Sequence, residues 1–194
     1  STLNLNGPGT FNGVISLFSN TTAGTQNNFL NLNHALAAQY ATIRLGGHGY
    51  ATGASVLKAG VNTSISKLEH NNTAALITGE GTTLTITGDS SSYGGSFGGT
   101  VTVDYTGGGT FTLGNSDKTV ALTPAASADA TLKISSGTLS LFSGNVNWSQ
   151  KLVMGDGTTL TVQDGPAVTG YYNYDAASIN GAVSYTHLTL PTIA

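Results

Sequence analysis

The chain has 194 residues, a length that fits one domain or a piece of a larger one, and Gly, Thr, Ser and Asn supply 27, 30, 19 and 16 of them. Charged residues make up only 8%, against about 25% in an ordinary globular domain, and the net charge is −3. Six unclustered Lys and Arg cannot neutralise a nucleic-acid backbone, apolar runs of about four residues are too short to span a bilayer, and the lack of cysteine rules out disulfides, thiolate-bound zinc and cysteine nucleophiles.

Residues 1–70 read as a less regular N-terminal part. Phe29, Leu32, Leu36 and Tyr40 fall at a spacing that admits one or two turns of amphipathic helix. Residues 42–45, 55–58 and 64–68 read as short strands. From 71 to 182 the text is repetitive. Residues 83–87, 100–103, 110–113, 138–141 and 159–162 alternate Thr or Ser with an apolar residue, which puts hydroxyls on one face and the apolar side chains on the other. Gly, Asp and Asn bound these runs and supply corner conformations. Gly79-Glu80-Gly81-Thr82-Thr83-Leu84-Thr85-Ile86 recurs as Gly155-Asp156-Gly157-Thr158-Thr159-Leu160-Thr161-Val162. Spacings of 21 residues, from Phe111 to Leu132 and from Leu139 to Leu160, suggest one coil per loose period, which the shorter step from Leu84 to Val101 does not obey. The predicted fold class is all-β: a parallel β-helix, a solenoid of about eight or nine coils and about 40 Å. The cluster Tyr171-Tyr172-Asn173-Tyr174 fits a strand of a further coil.

Residues 183–194 break the pattern. Val183-Ser184-Tyr185-Thr186-His187-Leu188-Thr189-Leu190-Pro191-Thr192 resembles the translation of a transposon-end sequencing adapter, a read-through product of metagenomic libraries. The resemblance implies a non-native tail and a natural protein truncated near Ala182, so these residues carry no functional argument.

The strings Leu84-Thr85-Ile86-Thr87-Gly88-Asp89-Ser90-Ser91-Ser92-Tyr93-Gly94-Gly95-Ser96 and Ser136-Gly137-Thr138-Leu139-Ser140-Leu141 resemble the passenger repeats of bacterial autotransporters, the type V secretion family. The resemblance covers residues 76–165. It implies a right-handed parallel β-helix, display outside a Gram-negative cell and a C-terminal β-barrel translocator in the full-length protein. A second Tyr-x-Gly-Gly turn is missing, and residues 1–70 depart from the family's text.

Candidate chemistry is sparse. Gly94-Gly95-Ser96-Phe97-Gly98 matches the nucleophile elbow, but no helical pattern follows Ser96, and the only later histidine is His187. His34, His48 and His70 share no metal-ligand spacing. Most acids adjoin Gly, Asn or Ser, as turn aspartates do. Asp104 closes a strand beside Tyr105, and with Asp89 it makes the candidate carboxylate pair for glycan cleavage. Gly155-Asp156-Gly157 reads as a tight turn, and the sequons at Asn20, Asn62, Asn71 and Asn147 match chance frequency. No catalytic, cofactor-binding or metal-ligating residue is assigned. The expected function is a structural, adhesive and non-enzymatic passenger fragment, with host glycans or matrix as partners and self-association through open coil ends. A polysaccharide lyase or glycosidase on the same fold, and a β-sandwich module of a surface layer, are the alternatives.

Overall fold

The computed structural model describes residues 1–18, 27–46, 54–70, 75–114, 129–142, 151–163 and 184–186. Among these residues the secondary structure is all β. Strands β1 (Thr2–Leu5), β3 (Asn28–Leu32), β5 (Ser55–Ala59), β7 (Ala75–Gly79) and β10 (Ser96–Gly99) stack in that order as a first sheet. A second sheet stacks β2 (Val14–Leu17), β4 (Ala38–Leu45), β6 (Thr63–His70), β8 (Thr83–Ile86), β11 (Thr102–Tyr105), β13 (Thr131–Ile134) and β15 (Lys151–Met154). The third holds β9 (Ser90–Tyr93), β12 (Thr110–Leu113), β14 (Thr138–Phe142), β16 (Thr159–Gln163) and β17 (Ser184–Thr186). Every strand pairing among the described residues, from β1 with β3 through β16 with β17, is parallel. A β-sandwich is built from antiparallel strands, so that alternative is corrected. β17 falls inside the adapter-like tail, and the Tyr171–Tyr174 cluster lies outside the described residues.

The alternation read from the sequence becomes columns of stacked side chains. In the first sheet Leu3, Leu30, Leu57, Ile77 and Phe97 are successive register partners. In the second, Leu84, Val103, Leu132 and Leu152 form one column and Ile86, Tyr105, Ile134 and Met154 another. In the third, Phe111, Leu139 and Leu160 align. These side chains form one continuous core, in which all but Leu3 are buried. Tyr93 and Phe97 meet at 5.1 Å between ring centres, and Tyr105 and Phe111 at 5.5 Å. Both tyrosines are wholly buried, and each hydroxyl donates to a carbonyl: Tyr93 to Ser96 at 2.8 Å and Tyr105 to Asp89 at 2.7 Å. Burial pushes the Tyr93 phenol well above its ordinary range; burial and then the Asp89 charge raise that of Tyr105.

Two expectations are corrected. Residues 29–40 contain no helical turn: β3 runs to Leu32 and β4 starts at Ala38, so Phe29 and Tyr40 lie on strands of different sheets. The 21-residue step from Phe111 to Leu132 is the other. Leu139 does stack on Leu160, but Phe111 stacks on Leu139 and Leu132 on Val103, so the Phe111–Leu132 spacing links two sheets rather than two levels. Levels are separated by 27 residues at Asn4 and Asn31, 25 at Arg44 and Glu69, and 29 at Asp104 and Lys133. Loop length varies while the ladder register holds, because lengthening a surface loop costs little entropy.

The corners share one device. Gly81, Gly99, Gly137 and Gly157 have φ of 63°, 63°, 80° and 73°, and each is followed by Thr. That φ range is open to glycine at no steric cost. The recurring Gly-Glu/Asp-Gly-Thr text therefore encodes a turn, not a place in the stack: it joins β7 to β8 across the first and second sheets, and β15 to β16 across the second and third.

Gly109 illustrates how tightly levels approach. A Cβ there would run into the Asp89 carbonyl, which already accepts bonds from the Thr110 amide at 2.9 Å and the Tyr105 hydroxyl. Gly108 next to it has open space. Gly109→Ala is expected to lower stability by about 1–3 kcal/mol through overpacking, while Gly108→Ala stays within about 0.5 kcal/mol. Chemical denaturation of the two variants checks the contrast; equal midpoints would contradict it.

Candidate functional site

The two carboxylates singled out in the sequence lie on different elements. Asp104 is not the last residue of its strand but the third of four in β11. It stands opposite Lys133 in the ladder, takes a 3.0 Å ion pair from that ammonium, and accepts a 2.6 Å hydrogen bond from Ser135 Oγ. Asp89 sits exposed in the link between β8 and β9, and its described hydrogen bonds are made by the main-chain carbonyl. Ser96 is the first residue of a strand and is buried, so the strand-to-helix turn of a nucleophile elbow is not formed there. His34 and His70 are far apart in the fold's order, on the β3–β4 link and at the end of β6, while His48, His187, Asp117, Asp164 and Asp175 lie outside the described residues. Among the described residues no three of His, Asp and Glu come together as a metal site would require.

What the fold does assemble is a groove. β4 and β6 are eight residues long and bend around an edge of the stack. Their first halves continue the second sheet, with Ala38 opposite Ile65 and Ile65 opposite Ile86. A register shift between Ala38 and Thr42 follows, and the second halves pair Arg44 with Glu69. Beyond Glu69 the next level is β9 of the third sheet. The Leu68 amide donates to Ser91 Oγ at 3.1 Å, the Gly94 amide donates to His70 Nδ1 at 3.2 Å, and the His70 ring meets Tyr93 edge-on at 5.5 Å. Side chains bridge where the backbone ladder changes sheets.

Outward from this junction opens a depression of about 430 Å³, with the charged side chains of β4 and β6 at one end and the hydroxyls of β9 and β12 at the other. Glu69 is the hub of the charged end. Arg44 donates to Glu69 Oε2 through Nε at 2.8 Å and Nη2 at 2.6 Å, and Lys67 Nζ lies 3.0 Å from Oε1. The hydroxyl end is a register-matched array: Ser90 stands opposite Thr110 and Ser92 opposite Thr112. The sequence reading missed Arg44, Lys67 and Glu69. One signal was present, since Lys67 lies on the predicted strand 64–68 and Glu69 follows directly after it, two residues on, where a longer strand puts both on one face. Arg44 is 25 residues from Glu69 and nothing local links them.

The Lys67 bond, followed by the Arg44 bond and both positive charges, holds the Glu69 carboxyl below its ordinary value against the opposing effect of burial. A lowered folded-state value means stabilisation that is complete above the unfolded value of about 4.5 and is lost as pH falls through the lower folded one. Stability measured from pH 6 down to about 3 should therefore fall less steeply in Glu69→Gln than in the parent. Parallel curves would contradict the account. The Asp104–Lys133 pair is a separate, partly exposed contact. Asp104→Asn and Lys133→Met are each expected to cost about 1 kcal/mol or less, and the double variant less than their sum. A thermal-denaturation cycle with strictly additive losses would show that the pair contributes nothing.

No protein-family model, curated protein or solved structure matches the chain.

Proposed function

We propose that this chain is a structural and adhesive segment of a surface-displayed, autotransporter-like passenger protein, in which the three sheets belong to a right-handed parallel β-helix. The observation that carries the reading is the order of the sheets along the chain. From β7 to β12 successive strands enter the first, second, third, first, second and third sheet. Each strand lands beside the strand of the preceding level. A chain that winds in this way builds a rod from nearest-neighbour contacts alone, with little charge and no metal. Such a rod suits a stalk that holds a binding surface away from a Gram-negative cell, with a β-barrel translocator elsewhere in the full-length protein. Host glycans or matrix are its partners, and it performs no catalysis. Asp104, the better candidate for glycan cleavage, is tied to Lys133 and Ser135 and has no described contact with Asp89.

The first level supplies a second partner, another copy of the chain. β1 and β2 stand at the ends of their sheets, each with one hydrogen-bonded neighbour among the described strands. Leu3, Phe11 and Val14 are about half exposed there, beside an apolar hollow of about 500 Å³ lined by Leu5, Pro8, Phe11 and Ile15. Open edges pair with open edges, and a charge on the edge opposes it.

Two measurements test this reading. Display of the full-length protein on a non-adherent bacterium is expected to confer adhesion or cell–cell aggregation; a displayed protein that confers neither overturns the adhesive role. Purified chain is expected to self-associate with rising concentration in sedimentation velocity, and Val14→Lys to shift it toward monomer. Self-association that is unaffected by this charge would place the contact elsewhere.

A further inference from the structure

We infer that the groove between β6, β9 and β12 is a binding site for a carboxylate-bearing sugar, a hexuronate or a sialic acid within a glycan. The inference deepens the adhesive reading above and rests on it.

Charge comes first. Arg44 and Lys67 against Glu69 leave the groove with one net positive charge, in a chain whose net charge is −3. The two cations are also reachable, with side chains 36% and 38% exposed. Glu69 engages two guanidinium N–H groups and the Lys67 ammonium. A guanidinium carries about five N–H donors and an ammonium about three, so most donors remain for an incoming carboxylate. A guanidinium already oriented by Glu69 loses less freedom on binding a second carboxylate, and its planar fork matches that group.

The remainder of the groove suits a sugar ring. Ser90, Ser92, Thr110 and Thr112 present hydroxyls about 4.8 Å apart between strands and about 6.6 Å apart along them. Each hydroxyl donates and accepts, as each sugar hydroxyl does. The volume, about 430 Å³, lies at the small end of the range for ligand sites and accommodates one or two rings. With the carboxylate at Arg44 and Lys67, the ring lies across β9 and β12. The described lining includes no exposed aromatic platform, so a single site binds weakly, at about millimolar Kd, and the charge decides which sugar is taken. Weak sites become effective when many stalks engage one surface.

The test titrates the purified chain with trigalacturonate, 3′-sialyllactose, lactose and cellotriose at low ionic strength, following amide shifts by NMR. At least one acidic ligand is expected to bind about tenfold or more tightly than its neutral counterpart, and the arm that responds identifies hexuronate or sialic acid. Arg44→Gln and Lys67→Gln should each weaken it about fivefold or more, added salt should do the same, and Asp104→Asn on the second sheet should leave it unchanged. Circular dichroism confirms that each variant is folded. Equal binding of acidic and neutral sugars, no binding by any of the four, or binding insensitive to both cation variants overturns the inference. Those outcomes leave the adhesion and self-association measurements intact. Acidic-sugar binding by a protein that confers no adhesion would instead overturn the stalk reading.

Discussion

The structure depends on parallel strands stacked in register, each giving its backbone hydrogen bonds to the levels on either side. The requirement is severe, because a slip of one residue would turn the apolar column outward and the hydroxyls inward. It also explains the composition. With backbone ladders and a continuous apolar core supplying cohesion, the surface needs few ion pairs, and Thr serves both faces of a strand's demands: a β-branched carbon for the pleat and a hydroxyl for water. Polar ladders reinforce the register. Asn31 donates to Asn4 at 2.7 Å one level away, and Asn33 donates to Asn6 at 2.8 Å.

Corners set how levels are joined without setting how far apart they are in sequence. A glycine with positive φ followed by threonine turns the chain into the next strand, and the threonine hydroxyl can then cap an adjacent level. Thr82 Oγ1 donates to the Ala59 carbonyl at 2.7 Å, and the Gly81 amide donates to Thr100 Oγ1 at 2.7 Å. Other links are longer, as where 29 residues separate Asp104 from Lys133. The stack tolerates them because the energetic price of a loop grows only logarithmically with its length.

Few charges do not mean uninformative charges. Of the three described ion pairs, two share Glu69 and stand where the ladder passes from the second sheet to the third, and the other joins β11 to β13 in register. The Arg44–Glu69–Lys67 group carries two positive charges against one negative, beside the hydroxyls of Ser90, Ser92, Thr110 and Thr112. The adhesive reading locates recognition there for that reason.

The sequence by itself determined the all-β class, the alternating strands such as those at 83–86, 110–113, 138–141 and 159–162, and the glycine corners beside them. Alternation with period two and a residue that must adopt positive φ are local properties, legible at Thr83–Ile86 or at Gly157 without knowing the partner strand. It misplaced Phe29 to Tyr40 because an apolar spacing that fits a helix also arises when two strands and a link occupy the same stretch. Only the tertiary structure decided which strand lies on which. Phe111 belongs over Leu139 and not Leu132, and Arg44 belongs beside Glu69, because ladder pairing is a long-range choice made by the whole core at once. No spacing in the text encodes it when loops vary in length. The same physics made the groove invisible beforehand, since its cations and hydroxyls come from four strands that meet only after the chain has wound past itself.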